Sequence, residues 1–432
     1  MPAKATMCIR RSYLFGRDSA KRGKRGVVLV LAVFAVVLLT VLAVGITAAV
    51  RVELLASRAS LDRMQSLFLA EAGVHEARAI LLYDDVTSDS LFDPWGPLCD
   101  SPLDLPQRFG GGYYRARVQD ACGRIDINRV DAAVLTRLTG DPKVAAAILD
   151  WRDSGNFPEA GGAEQEYYAV LPQPYLPRNG PLQTLGELLL VRGVTPDLFF
   201  GDQQSPGLVD LLTVESVSLN TDATGARRIS VNEFRNWSEE KFRESVMGKL
   251  GEVLTMYEVE EIWSGYAALV AAGTEYTSLG QLATAAGLSY ETIARAADLL
   301  TVESELWVHG KVNVNTASPA VLAALPGSSQ EAAEAIVAHR KAQPFVARSE
   351  VAELLLTQAG GPEVLLYMID HVTTKSSSFI IESMGRTETG RAFRTARVLV
   401  RRRSDAVAIV RQAEEDWPLP ALEEEPLVIV RR

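Results

Sequence analysis

Between Val27 and Val50 the chain runs for 24 residues without a charged side chain, VVLVLAVFAVVLLTVLAVGITAAV. As a helix this segment spans roughly 30 Å of hydrocarbon, where every backbone N–H and C=O must be satisfied within the segment itself. It is longer than the apolar core of about 7 to 15 residues in a cleaved secretory signal, and no break follows it. After Arg51 the chain places Leu54, Leu55, Leu61, Leu67, Phe68, Ala72, Ala79 and Leu82 at helical spacing, with no proline and with Gly73 as the one interruption. The pattern predicts one helix over residues 27–83, on the order of 85 Å long, membrane span first and amphipathic stalk second.

Charge sets the orientation. Residues 1–26 hold eight Lys/Arg and a single acid, Asp18, giving +7; since the whole chain carries −10, residues 27–432 carry −17. The basic head stays on the cytoplasmic side and everything after Arg51 is sent across, which for a bacterial inner membrane is the periplasm. A surface this acidic repels phosphate backbones, so nucleic acid is not expected as a partner. At 432 residues, two or three folded units are expected. Cys8 lies in the basic head, while Cys99 and Cys122 lie beyond the span. In an oxidising compartment a Cys99–Cys122 disulfide would close a loop of roughly 20 residues and stabilise by about 3 kcal/mol; two separate thiols fit the spacing equally well.

A basic leader ending in Gly26, followed at once by an apolar helix that becomes a stalk, resembles the class III leader of type IV pilins and pseudopilins. That resemblance implies cleavage between Gly26 and Val27 by prepilin peptidase and methylation of the new N-terminus. Most members carry Glu at the fifth mature position, where it pairs with the amine of a neighbouring subunit. Here that position is Leu31. Lacking the acid is a property of K-type minor pseudopilins of the type II secretion system, and it suits a filament tip.

Residues 120–375 contain an internal repeat. Asp210-Leu-Leu-Thr-Val-Glu-Ser216 recurs as Asp298-Leu-Leu-Thr-Val-Glu-Ser304 and more loosely as Asp370-His-Val-Thr-Thr-Lys-Ser376. Each unit opens on a short alternating strand ending in Asn128, Asn232 or Asn315, expected to cap the next helix. The units span residues 125–216, 229–304 and 312–376. The third resembles a helix-hairpin-helix, but only Pro326 and Gly327 of its phosphate-binding turn are present; Ser328 and Ser329 replace the rest, and Glu331 and Glu334 open the next helix. Packing modules for protein partners are therefore expected. ILDWRDSGNFPEAGGAEQEYY (148–168) and YLPRNGPLQTLGELLLVRGVTPDLFFG (175–201) closely resemble segments of K-type pseudopilins. No cofactor is required; Asp153, Glu159, Glu164 and Glu166 read first as a solvated acidic loop, and the resemblance implies that calcium can bind, for which Asp153, Glu164 and Glu166 are the candidate ligands.

Gly112–Val118 and three C-terminal segments, 379–384, 392–400 and 406–411, alternate as antiparallel strands do. One strand near residue 114 is not stable alone, so pairing across the repeats is expected. The predicted fold class is α+β: a long N-terminal transmembrane and stalk helix packed on a small antiparallel sheet (84–124 with 372–412), and a large inserted α-helical domain (125–371) of helix-hairpin-helix-like repeats. Residues 413–432, rich in Glu and Pro, read as a flexible acidic tail. His75, His309, His339 and His371 fall in no metal or triad spacing, and no nucleotide or nucleophile motif occurs, so no enzyme is expected. The expected role is a non-enzymatic tip subunit that starts pseudopilus assembly. Its partners would be other minor pseudopilins, prepilin peptidase, the secretion machinery or cargo, and the inner membrane. A membrane-anchored DNA receptor and a type IV pilus minor pilin are the alternatives.

Overall fold

The computed structural model describes residues 21–99, 103–202, 205–272, 275–390 and 392–413. It divides into two units, Met1–Met64 and Gln65–Arg432. The leader residues 1–20 and the tail 414–432 lie outside the described part. In the first unit, residues 21–64 belong to helix α1, Lys21–Tyr83. The helix is long and apolar enough to cross a membrane, and no residue of its apolar window is buried.

In the second unit, residues 65–83 of α1 cover one face of an antiparallel sheet. Its strands are β1 (Gln107–Phe109), β2 (Gly112–Asp120), β3 (Ser378–Thr387), β4 (Phe393–Arg402) and β5 (Val407–Ala413), in that spatial order. The central pair is long-range: Asp120 of β2 lies opposite Phe379 of β3 and Gly112 opposite Thr387. Ala70, Val74, Ala77 and Leu81 of α1 recur at helical spacing and bury against Ala116, Val118, Phe379, Ile381, Val398 and Val400. Of the stalk positions expected to be inward, Leu67, Phe68 and Leu82 are 41%, 58% and 38% exposed, and Ala79 is exposed too. The helix approaches the sheet too closely for large side chains. A Cβ on Gly73 would collide with Ser383 Oγ, and one on Gly385 with the backbone of Ser66 and Ala70. Small residues therefore form the contact, and the larger apolar ones are left facing outward.

Between β2 and β3 the chain makes three similar excursions. Each begins and ends on two-residue strands that pair in parallel: Ile125–Asp126 with Leu212–Thr213, Ile229–Ser230 with Leu300–Thr301, and Val312–Asn313 with Val372–Thr373. Val217–Leu219 and Trp307–His309 pair antiparallel, so the middle excursion leaves and returns through one two-stranded stem. The helices of all three share one apolar core that includes Ile148, Leu188, Phe199, Ile262, Leu282, Leu322, Ile336 and Leu355.

The three asparagines do not cap the helix that follows. Asp131 caps α2 (Ala132–Thr139) and Ser318 caps Pro319–Ala324. Asn128, Asn232 and Asn315 instead grip the backbone ahead of the helical segments that start at Leu185, Leu279 and Arg348. Asn128 accepts from Leu182 N and donates to Leu182 O; Asn232 does the same with Tyr276 and Asn315 with Phe345. A carboxamide has both donor and acceptor, so it can close such a ring where an ionised Asp could not.

Candidate functional site

Helix α3 (Pro142–Arg152) starts with Asp141 accepting from Lys143 N and with Pro142 in its first turn. It buries Val144, Ala147, Ile148 and Trp151, and among them one acid, Asp150, which has no exposed surface. Asp150 is held charged-end inward by its partners: it accepts from Glu159 N at 2.9 Å and Ala163 N at 2.6 Å. Those bonds fold the loop after α3 back over the helix end, and a side chain on Gly162 would collide with Asp150 Oδ2. Asp153 caps the end of α3 and accepts from Gly155 N at 2.7 Å. Trp151 is fixed edge-on by Tyr168, ring centres 5.2 Å apart, with Tyr175 beyond.

The returning loop brings Glu164 to this point. Its side chain is 3% exposed, yet neither carboxylate oxygen has a hydrogen-bond partner. Asp150, Asp153 and Glu164 each offer an oxygen, all within 4.8 Å of one another. Burial, then the charges of Asp150 and Asp153, raise the Glu164 carboxyl above its usual range. Three convergent carboxylates, one of them buried and orphaned, fit a hard cation that takes oxygen ligands. Of the expected ligands, Asp153 and Glu164 are in this group and Glu166 is not. Glu166 lies two residues after Glu164 on the short helix Gln165–Tyr168, about 200° around it, and is exposed while Tyr168 is buried. Glu159 contributes its backbone N–H and its side chain is exposed. Sequence reasoning passes over Asp150, although an acid in the apolar run AAAILDW is the kind of position that needs explaining.

A second acidic group, Asp84, Asp89 and Asp93, has a different meaning. Arg402, 4% exposed, donates to Asp84 Oδ2 at 3.1 Å and to both oxygens of Asp89 at 2.5 and 2.7 Å. Ser376 N and Trp95 Nε1 supply further donors to Asp89 and Asp84. Asp120 lies beside them and accepts from Asn313, Thr316 and Ser376. This is a satisfied polar junction between the sheet and the third repeat, with a guanidinium where a cation would sit.

The two cysteines do not meet. Cys122 is fully buried in the turn after β2 with its thiol on Val217 O, while Cys99 lies in the 91–99 loop with its thiol directed at Pro94 O; both are free. Gly26, Val27 and Leu31 lie in unbroken, exposed helix.

Two family models described as "Type II secretion system (T2SS), protein K" match this chain, one over residues 129–200 and the other over 312–366. The first contains the whole Asp150–Glu164 loop and the second most of the third repeat. Both matched segments are similar to protein K of the type II secretion system. Among similar curated proteins, the protein K of Pectobacterium carotovorum is 38% identical over 78 residues, 18% of this chain and 23% of that protein. The protein K of Klebsiella pneumoniae is 26% identical over 199 residues, 41% of this chain and 60% of that protein. The chain thus matches less than two thirds of the length of either protein K. A solved structure, the GspK-GspI-GspJ complex of the enterotoxigenic Escherichia coli type 2 secretion system, aligns over 83% of this chain and all of that one, at 12% identity and a TM-score of 0.44. In this chain the middle repeat between Val217 and His309 lies between the two matched segments.

Proposed function

We propose that this chain is a minor pseudopilin that caps the tip of a type II secretion pseudopilus and helps start its assembly, without enzymatic activity. The observations that carry this reading are that small residues of α1 pack on the sheet while Leu67 and Phe68 stay exposed, and that the apolar stretch of α1 in the first unit is uncovered. Such a helix needs lipid at one stage and neighbouring helices at another. Leu31 offers no carboxylate to a subunit above it, and the repeat domain between β2 and β3 adds bulk that suits a terminal position. In the Escherichia coli complex GspK is joined with GspI and GspJ; the neighbours proposed for this chain are likewise other minor pseudopilins. The topology is single-pass in the inner membrane, basic head in the cytoplasm and the second unit in the periplasm.

The repeats act as helix-hairpin-helix-like packing modules. In the third, Ser329 caps the second helix through Ala332 N, and Arg137 of α2 donates to Ala324 O and Leu325 O of the turn. These contacts support the reading of the turn as a site of protein packing. Asp150, Asp153 and Glu164 would hold calcium, which would neutralise their mutual repulsion and pin the 153–164 loop.

The test is membrane extraction followed by N-terminal sequencing and affinity capture. A mature N-terminus at Val27 and recovery with other pseudopilins are expected. An intact leader in cells that have prepilin peptidase, or capture of duplex DNA by the purified chain, would overturn the reading.

A further inference from the structure

The face of the sheet turned away from α1 is rich in arginine, although residues 27–432 together carry −17. The strand registers place Arg115, Arg117, Arg386, Arg397, Arg401 and Arg411 on it, against one strand carboxylate, Glu382. Asp104 pairs with Arg115 and Glu215 with Arg401, so six guanidiniums meet three carboxylates. Glu382 is shared: Arg117 donates to it at 2.9 Å and Arg397 lies 3.3 Å from it on the other side. A guanidinium carries more N–H donors than one shared carboxylate can take, and the Arg117 and Arg397 side chains are 40% and 27% exposed. Arg124 donates to Gln119 on the same face, and burial, then the charge of Arg397, lowers its pKa. The field at this surface is therefore positive.

Beside the arginines the same face is apolar. Met384 lies between Arg115 and Thr395, and in the next row Arg386 lies between Tyr113 and Phe393. Tyr113 and Met384 are half-buried and Phe393 is 66% exposed. Every basic residue in 107–120 and 378–413 is Arg and none is Lys. Arg, Met and aromatic residues are the types enriched at protein interfaces, where Lys is depleted, whereas a layer of lipid headgroups is attracted by Lys as well as by Arg. The planar guanidinium fork fits a carboxylate through two parallel N–H bonds. Arg115 and Arg117 stand about 7 Å apart along β2, the spacing of carboxylates on alternate residues of an extended segment. A second copy of this chain would bring its acidic surface here only head to tail, a contact that builds rings or open filaments and not a closed pair. The occupant that matches is therefore a different protein, one that presents carboxylates and apolar side chains together.

We propose that this face docks an acidic segment of another protein, its carboxylates on Arg117 and Arg397 and its apolar side chains on Met384, Tyr113 and Phe393. This does not depend on the proposed place of the chain in a filament. The test measures, by fluorescence anisotropy, binding of a labelled synthetic peptide that alternates Glu with Leu and Tyr to the full chain in non-ionic detergent micelles. The Glu peptide should bind about ten-fold or more tighter than its Gln counterpart, and raising salt from about 0.05 to about 0.5 M should weaken it several-fold. With p-benzoyl-phenylalanine in place of Phe393, photolysis should crosslink the peptide to the chain. Arg117→Gln, Glu382→Gln and Arg397→Gln together keep neutral hydrogen-bonding groups along the row and should lower the affinity about ten-fold. Arg386→Gln with Phe393→Ala, both exposed, should lower it several-fold with the strands intact, and Lys143→Gln with Lys341→Gln, exposed outside this face, should leave it unchanged. Equal binding of the two peptides, affinity unchanged in both arginine variants, loss of the peptide when phosphatidylglycerol is added to the micelles, or self-association of the chain through these arginines in sedimentation would each overturn the proposal.

Discussion

Asp298 accepts a hydrogen bond from the backbone N–H of Arg348 at 3.1 Å, joining the end of the middle repeat to the first residue of a helix in the last. The relation is returned: Asp370, at the same place in the last repeat, accepts from Leu279 N at 2.8 Å at the start of the corresponding helix of the middle one. Each repeat thus supplies the carboxylate that satisfies an orphan N–H of the other.

Asp298 also accepts from Ala223 N at 2.7 Å and pairs with Arg228, both side chains being under 10% exposed. Asp298→Ala leaves the Arg228 guanidinium buried without its partner and should cost about 3 to 5 kcal/mol in denaturant titrations of the detergent-solubilised chain. Burial alone would raise the Asp298 carboxyl, but Arg228 and the N–H donors outweigh it and hold it low. Its contribution is therefore present above the unfolded carboxylate range and is lost as pH falls through the lower folded value.

Asp126 titrates in the opposite sense. Burial raises it to about 6 against the hydrogen bonds from Ser216 and Asn128. The folded chain then holds a proton that the unfolded chain has lost, so between about pH 4 and 6 this group makes stability fall as pH rises, by roughly 2 to 3 kcal/mol at most. The third repeat has Asn313 in the equivalent place, bonded to Asn315 N in the same way. Asp126→Asn should flatten the stability profile across that window, read by thermal unfolding at a series of pH values.

Gly73→Val should destabilise by about 1 to 3 kcal/mol, because the added carbons meet Ser383, Tyr114 and Ala116 where α1 lies close on the sheet. Phe68→Ala, on the uncovered side, should stay within about 0.5 kcal/mol in the isolated chain. Reversal of that order in unfolding midpoints would count against small-residue packing of α1 on the sheet.

Calcium should raise the unfolding midpoint of the full chain, by an amount equivalent to about 2.7 kcal/mol when free cation is a hundred times the dissociation constant. Glu164→Gln should remove most of that gain while leaving the metal-free midpoint nearly unchanged, since no hydrogen bond is lost with it. An equal calcium shift in wild type and variant would exclude Glu164 as a ligand.

The long helix and the repeat ends are readable because they are one-dimensional patterns: an uncharged run and a heptapeptide written twice. The face that α1 buries is not. Hydrophobicity points to Leu67 and Phe68, whereas backbone approach selects Gly73, Ala70 and Ala77, and that preference depends on what stands opposite. Asn128 is visible as a special position but reads as a cap, because its partners Leu182 and Val214 are 54 and 86 residues away. The cation group is legible only in part. Glu166 follows Glu164 in sequence, but one turn of helix decides which of them faces Asp150.

The antiparallel stem of Val217–Leu219 and Trp307–His309 makes the middle repeat a side branch of the chain. Its two ends touch, so the chain enters and leaves this lobe at one place, and what fastens the lobe to the rest is the shared core and the Asp298 and Asp370 carboxylates, not the order of the strands. Loosening those contacts would free the lobe to swing on its stem while the five-stranded sheet keeps its register.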